Sequence, residues 1–235
     1  CHLVHGGKIV REKEKIKMNK RGLLVSVIIL LLLFFDQWLK IYVKCNFSLG
    51  EQVSVLGNWF SLHYIENDGI AFGMVFWTRP IGKILLTLFR LVASCGILWI
   101  IVLMLRNREN VPFGLLLCTT LIFSGAVGNV IDCIFYGQLF SPSSYYGPAA
   151  TLFSGEGYAP LLQGRVVDML QFDLFDIPLG ATRQFHFFPA IFNLADAYIT
   201  TGILMLLVFY YRALSRFISS LEKPQNQSEN TTHEE

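Results

Sequence analysis

The sequence predicts an all-α membrane protein: a four-transmembrane-helix bundle with a small β-rich extracytoplasmic subdomain and an irregular outer loop. Three observations lead there. Four apolar stretches are each long enough to cross a bilayer, which takes roughly 20 helical residues. Only 15% of the 235 residues are charged, 53% are hydrophobic and the mean hydropathy is +0.49, whereas a soluble domain carries about a quarter charged residues. Finally, the Lys and Arg residues fall mostly on one side of such a bundle.

The spans are placed at 23–43, 81–105, 113–136 and 189–211. The first follows a run of lysines, as a cleaved signal peptide does. Its core runs into Asp36-Gln37-Trp38-Leu39-Lys40 instead of small cleavage residues, so it reads as an uncleaved span. Lys8, Arg11, Lys13, Lys15, Lys17, Lys20 and Arg21 precede it, Arg106 and Arg108 follow the second span, and Arg212, Arg216 and Lys223 follow the fourth. That asymmetry puts both termini in the cytoplasm.

The remaining segments fall into place around the spans. Residues 1–21 read as a basic cytoplasmic tail, of which 1–17 precede Met18 and stand as upstream sequence or an exposed tail. Residues 22–211 form one four-span domain, with outer segments at about 44–80 and 137–188. In the first of these, Gln52-Val53-Ser54-Val55 and Trp59-Phe60-Ser61-Leu62-His63-Tyr64 alternate as short strands do. In the second, residues 141–164 are rich in Gly, Pro, Ser and Tyr and read as an irregular loop. Residues 212–235 end the chain as a polar cytoplasmic tail whose composition predicts disorder.

Several function classes are excluded. The basic residues border apolar segments and form no base-reading motif, which argues against nucleic acid. Five scattered cysteines lack metal-type spacing, and the five histidines show no i,i+4 pair, so neither a disulfide framework nor a zinc site is expected.

The carboxylates carry the chemistry. An acid within a membrane helix costs roughly 3 kcal/mol at the centre, and this sequence places three: Asp36, Asp132 and Asp196. Each lies near the outer end of its span, and Asp168 sits where the second outer loop returns. Asp36 precedes Lys40 by one helical turn and reads equally as a paired structural charge. Asp132 follows Gly125, Gly128 and Asn129 on a small-residue helix, where buried polar groups also tie helices together. Alone, Asp168 would pass for a loop acid. Asp196 is harder to assign to structure. With a helix starting at Pro189, Asn193, Asp196 and Thr200 share one face, with no basic partner in view. Two such carboxyls at one site would share a proton, leaving one to activate water and the other to protonate a carbonyl. Spacing leaves open which acid pairs with Asp196.

At this point the residues resemble a known family, the bacterial lipoprotein signal peptidases (signal peptidase II). Asp36-Gln37 with Lys40 resembles the family's first-span motif, and Asn67-Asp68-Gly69-Ile70-Ala71-Phe72 its N-x-G-x-A-F segment. Gly125-Ala126-Val127-Gly128-Asn129-Val130-Ile131-Asp132 is similar to its G-x-x-G-N-x-x-D block, and Val166-Val167-Asp168 and Phe192-Asn193-Leu194-Ala195-Asp196 to its two aspartate motifs. The resemblance implies an aspartyl endopeptidase of the bacterial inner membrane with Asp168 and Asp196 as its dyad. Asn67, Asn129 and Asn193 would line the site, and Asp36, Lys40 and Asp132 would support it. The implied substrate is a diacylglyceryl-modified prolipoprotein, cut before its lipidated cysteine near the outer leaflet. Membrane lipids are the other partner; the enzyme would act as a monomer and need no metal or organic cofactor.

Two departures stand out. Cys133 occupies the place of the family's Arg, whose charge is then lost or supplied elsewhere, with Arg165 as a candidate. Residues 141–164 are an insertion and 171–186 a lengthened stretch, which makes Asp173 and Asp176 rival acids. A competing reading is a small transporter or channel subunit with Asp36, Asp132 and Asp196 as a proton or cation path. It lacks an acid in the inner half of the bundle. A metal-dependent transferase lacks adjacent oxygen ligands, and an assembly factor leaves the cost of Asp196 unexplained.

Overall fold

The computed structural model describes residues 2–57, 59–68, 81–107, 111–173, 175–178, 184–187 and 190–222, with side chains except at 2–19, 175–178, 184–187 and 222. The motif residues Gly69–Phe72, Pro189, the Asp176 side chain and the tail from 223 lie outside that set.

Four helical spans are long and apolar enough to cross a membrane: Lys20–Asn46, Ile81–Arg106, Phe113–Leu139 and Leu194–Leu221. Span 1 belongs to α1 (His2–Asn46) and span 2 is α2 (Ile81–Arg106). Span 3 joins α3 (Phe113–Ile131), a π-helical turn at Asp132–Tyr136 and the short α4 (Gly137–Leu139). Span 4 joins α5 (Leu194–Met205), a second π turn (Leu206–Tyr210) and α6 (Tyr211–Glu222). The chain is a multi-pass membrane protein.

Span 3 is the axle. Buried residues make up 56% of its apolar window, against 11% for spans 1 and 4. Its small residues permit that. A Cβ on Gly125 would stand 2.2 Å from the Ala195 carbonyl oxygen, and one on Gly128 would stand 2.6 Å from Asp36 Oδ2. Lipid supplies no hydrophobic drive between helices, so close approach and buried polar contacts hold them instead.

The sheet sits at one end of the bundle. Strands β1 (Gln52–Leu56), β2 (Phe60–Asn67), β3 (Val166–Phe172) and β6 (Ile191–Phe192) pair antiparallel in the order β1-β2-β3-β6. The two alternating segments thus form the expected strands. Loop character around Asp168 is overturned: Val166–Phe172 is a strand with its first five residues buried. A run of apolar residues buried on both faces lacks the alternation that marks a half-exposed strand. The lengthened stretch is a hairpin, β4 (Phe175–Pro178) with β5 (Gln184–Phe187). Between the Leu62–Leu170 and Ile65–Asp168 pairs, β2 holds one residue more than β3, a bulge.

Val43, Tyr64, Tyr136, Phe140, Val167 and Met169 form the core where sheet meets bundle. Lys44, fully buried on span 1, spans that junction. It is ion-paired and hydrogen-bonded to Glu66 and donates to Tyr64 Oη at 3.2 Å and Ser143 Oγ at 2.9 Å. The Tyr158 ring lies 4.9 Å from its ammonium. Burial alone would raise the Glu66 pKa, but the Lys44 charge and the donors around it hold Glu66 down at about 2.

Candidate active site

The site forms where span 1, span 3, β3 and the start of span 4 converge, and it has two layers. The deeper one is ionic. Lys40 Nζ lies 3.0 Å from Asp36 Oδ2 and 2.8 Å from Asp132 Oδ2, all three groups being buried. Gln37 Nε2 donates to Asp132 Oδ1 at 3.0 Å, and Tyr136 Oη donates to Gln37 Oε1 at 3.0 Å. Asp36 Oδ1 accepts the Ala195 amide at 2.9 Å, so it anchors the first turn of α5, where a helix presents unsatisfied N–H groups. Asp36, Lys40 and Asp132 thus meet in one buried cluster.

The upper layer holds the other two acids. Asp168 projects from β3. Its Oδ1 accepts from Asn193 Nδ2 at 2.7 Å and its Oδ2 from Asn67 Nδ2 at 3.2 Å. Asp196 accepts from Asn129 Nδ2 at 2.8 Å and, on its other oxygen, from the Asn193 amide at 3.3 Å. Asn193 therefore holds both carboxylates. Asp168 and Asn193 are buried, Asp196 and Asn129 are half-buried and Asn67 is exposed, which leaves the Asp196 side open to approach.

Lys40 connects the layers. Its ammonium can only donate, and Asn129 Oδ1 accepts from it at 3.0 Å. That contact turns the Asn129 NH2 towards Asp196. Asn129 Oδ1 also accepts from Asn193 Nδ2 at 3.1 Å, while Asn193 Oδ1 accepts the Asp196 amide at 3.0 Å. The direction of each side-chain amide follows from a donor-only group at the base of the chain.

Burial raises the Asp168 pKa first, and the neighbouring charge of Asp196 adds to it; together they outweigh the Asn67 and Asn193 hydrogen bonds and bring it to about 7. A carboxyl titrating near neutrality serves as either acid or base.

The fourth span starts later than the sequence implied. Helix α5 begins at Leu194 with Asn193 as its N-cap, and Asn193 and Asp196 form a reciprocal capping box. Asn193 is therefore not on the helical face with Asp196. The cap satisfies two orphan amides, which fixes the helix start more firmly than the preference of proline for a first turn. Asp173, the rival acid, accepts from Gln171 Nε2 at 3.0 Å and is not part of the carboxylate–asparagine cluster. Among the described residues, no group of three His, Cys, Asp or Glu side chains is placed to hold a metal ion.

Arg165 does not take the place left by Cys133. It reaches Glu66 Oε2 at 3.1 Å and Asp68 Oδ1 at 3.4 Å. The cations beside Cys133 come from span 2: Arg90 Nη1 is 3.3 Å and Lys83 Nζ 3.9 Å from its sulfur. Lys83 also donates to the Asp68 carbonyl at 2.7 Å, next to Asn67. Sequence reasoning missed this contribution, although Lys83, Thr87, Arg90 and Ser94 recur at helical spacing along an apolar span.

A family model described as signal peptidase (SPase) II matches residues 28–212. The chain belongs to the signal peptidase II family. It is a protease, and every residue of the two layers lies within the matched range. A lipoprotein signal peptidase of Porphyromonas gingivalis is 41% identical over 202 residues, covering 83% of this chain and 86% of its own. Those of Amoebophilus asiaticus and Streptococcus pneumoniae are 35% and 31% identical, covering 77% and 81% of this chain and 75% and 94% of their own. A solved structure described as a bacterial membrane enzyme shares the fold of this signal peptidase II member with a TM-score of 0.52 at 20% identity, over 78% of this chain and 90% of its own.

Proposed function

We propose that this protein is an aspartic endopeptidase that removes signal peptides from diacylglyceryl-modified prolipoproteins, cutting before the lipidated cysteine. The observation that carries the catalytic type is Asn193 holding Asp168 and Asp196 together, with Asp168 brought to about 7. The names of its relatives support the substrate.

One carboxylate of the pair is ionised and takes a proton from water as that water attacks the scissile carbonyl. The other, protonated, donates to the carbonyl oxygen. The tetrahedral intermediate collapses as the base returns its proton to the departing amine and the acid regains its own, so the dyad ends as it began. Asn67, Asn129 and Asn193 hold the two carboxylates in place, and Lys40, seated between Asp36 and Asp132, holds Asn129. The basic residues at the opposite end of the bundle support an inner-membrane orientation with both termini cytoplasmic. The dyad then lies near the outer leaflet, at the depth of a lipid-anchored cleavage site.

The test is cleavage of lipidated against unlipidated precursor in detergent. Asp168→Asn and Asp196→Asn each abolish cleavage while the protein still inserts and folds. Full turnover by either variant defeats the assignment.

A further inference from the structure

Residues 141–164 are longer than a turn between span 3 and β3 requires, and the chemistry above does not use them. They are nonetheless tied down along their length. Ser144 O accepts the Leu49 amide at 3.0 Å, and Gly147 O accepts from Ser48 Oγ at 3.2 Å, both beside the end of span 1. The Phe153 amide donates to Leu139 O, the last residue of α4, at 2.8 Å.

The returning stretch goes deeper. The Leu162 amide donates to Ile134 O at 3.2 Å, the Gly164 amide to Cys133 O at 2.9 Å, and Leu162 O accepts from Thr87 Oγ1 at 2.9 Å. Ile134 lies ~7.5 Å below Leu139 at ~1.5 Å per residue, and Thr87 is well inside the Ile81 end of span 2. This stretch therefore runs alongside spans 2 and 3, within their depth. Non-helical backbone there must find protein partners, and the π turn of span 3 and the Thr87 hydroxyl provide them.

Besides Ser144, Thr151, Ser154 and Glu156, the segment leaves large apolar or aromatic side chains uncovered: Tyr146 is 102% exposed, Phe153 75%, Tyr145 65% and Leu161 44%. Phe153 (φ 56°) and Leu162 (φ 68°) are the non-glycine residues in the left-handed region among the described residues. Such a conformation costs on the order of 1 kcal/mol. Glycine would avoid that cost, and an exposed phenyl ring in water gains nothing to offset it. In a bilayer interface the ring is well solvated. Leu161 and the neighbouring exposed Phe135 continue the apolar surface of span 2, where Leu85, Leu88 and Phe89 are uncovered.

We propose that residues 141–164 form a re-entrant collar whose Tyr146, Phe153 and Leu161 side chains are seated in the phospholipid interface of the leaflet at the sheet end of the bundle. Trp38 and Tyr42, exposed on span 1 and stacked at 6.0 Å, belong to the same ring-bearing band, the position that aromatic residues favour at membrane surfaces. The collar pins the sheet, and with it Asp168, to a fixed height above the hydrocarbon. The inference stands on the four spans and not on the aspartic chemistry.

The test places one added tryptophan at a time in the full chain, as Tyr146→Trp, Phe153→Trp and Leu161→Trp, in phosphatidylcholine–phosphatidylglycerol vesicles. Emission is compared with that of the parent chain. The expected result is that the added emission is blue-shifted, lost when the lipids carry bromine high on their acyl chains, and untouched by aqueous iodide. Quenching by iodide without quenching by bromolipid overturns the proposal. So does bromolipid quenching that appears only on dilution of the protein in lipid, which would put a second copy on this face. Shielding from bromolipid only when lidded by added lipidated precursor would make the substrate its occupant and equally overturn it. The substitutions keep an apolar ring or large side chain, and circular dichroism confirms the fold. A parent chain that fails to cleave precursor leaves the depth measurement interpretable.

Discussion

Lys40 and Lys44 sit one helical turn apart on the same face of span 1, and both are fully buried. They serve different ends. Lys40 faces two carboxylates and an asparagine, and its direction as a donor passes through Asn129 to Asp196. Lys44 faces one carboxylate, two hydroxyls and the Tyr158 ring, and it fastens the inserted segment and the sheet to the bundle. Position along the helix places the two ammonium groups at adjacent depths. What reaches them from other elements decides that one orients the asparagines beside Asp168 and Asp196 and the other holds scaffold.

The largest difference should come from removing each charge in turn. Lys40→Met leaves Asp36 and Asp132 buried and facing each other; loss of one partner from a buried ion pair costs roughly 3–5 kcal/mol. Thermal unfolding in detergent should show that drop, and precursor cleavage should be lost with it. Lys44→Met should cost less, about 1.5–3 kcal/mol as for a hydrogen bond to a charged group, because Glu66 keeps Arg165 at 3.1 Å and the Ser143 hydroxyl. Cleavage by that variant should stay within a few-fold of the parent. Equal loss of turnover in both variants would erase the distinction between the two lysines.

The carboxylates beside them titrate in opposite senses. Glu66 is held at about 2 in the folded protein, below the ~4.3 of an unfolded chain. Its contribution is complete above that unfolded value and is lost as pH falls through about 2. Asp168 is raised to about 7, above an unfolded value of ~3.9. Its burial therefore opposes folding increasingly as pH rises from about 4 to about 7 and fully beyond. Asp168→Asn should abolish cleavage while raising the melting temperature above pH 7, and it should remove that part of the pH slope. On the proposed mechanism, kcat/KM of the parent should fall as pH rises through about 7, where Asp168 loses its proton.

A finer separation uses the charge of Lys40, which lowers the Asp168 value. In any Lys40 variant that keeps residual turnover, such as Lys40→Gln, the alkaline limb should move upward in pH; in Lys44→Met it should not. The smallest effect is expected at Cys133→Ala, where a weak acceptor for Arg90 and Lys83 is removed. Cleavage there should change by no more than about twofold, since a thiol accepts weakly.

Much of this was legible in the sequence. Apolar length placed the first three spans to within a few residues, whereas the fourth starts five residues later and runs ten residues further than read, and acids in apolar surroundings pointed to Asp36, Asp132 and Asp196. The start of span 4 was also written there: Asn193 three residues ahead of Asp196 is a capping-box spacing, and it outweighs a proline at 189. What the sequence could not show was how distant segments meet. Asp168 becomes part of a site only because β3 lies beside β2 and Asn193, a pairing that no local pattern encodes. The cations near Cys133 come from span 2, so a search of the sequence between Cys133 and Asp168 finds Arg165 and misses Arg90.

The bulge in β2 has a further consequence. Beyond it, Glu66 turns towards Lys44 and Asn67, its immediate neighbour, turns to the other face and meets Asp168. Deleting one residue from the bulge would exchange those faces and unhook both contacts at a stroke. The length of that strand is therefore constrained more tightly than the identity of the residues in its bulge, because a miscount there disconnects Glu66 from Lys44 and Asn67 from Asp168 together.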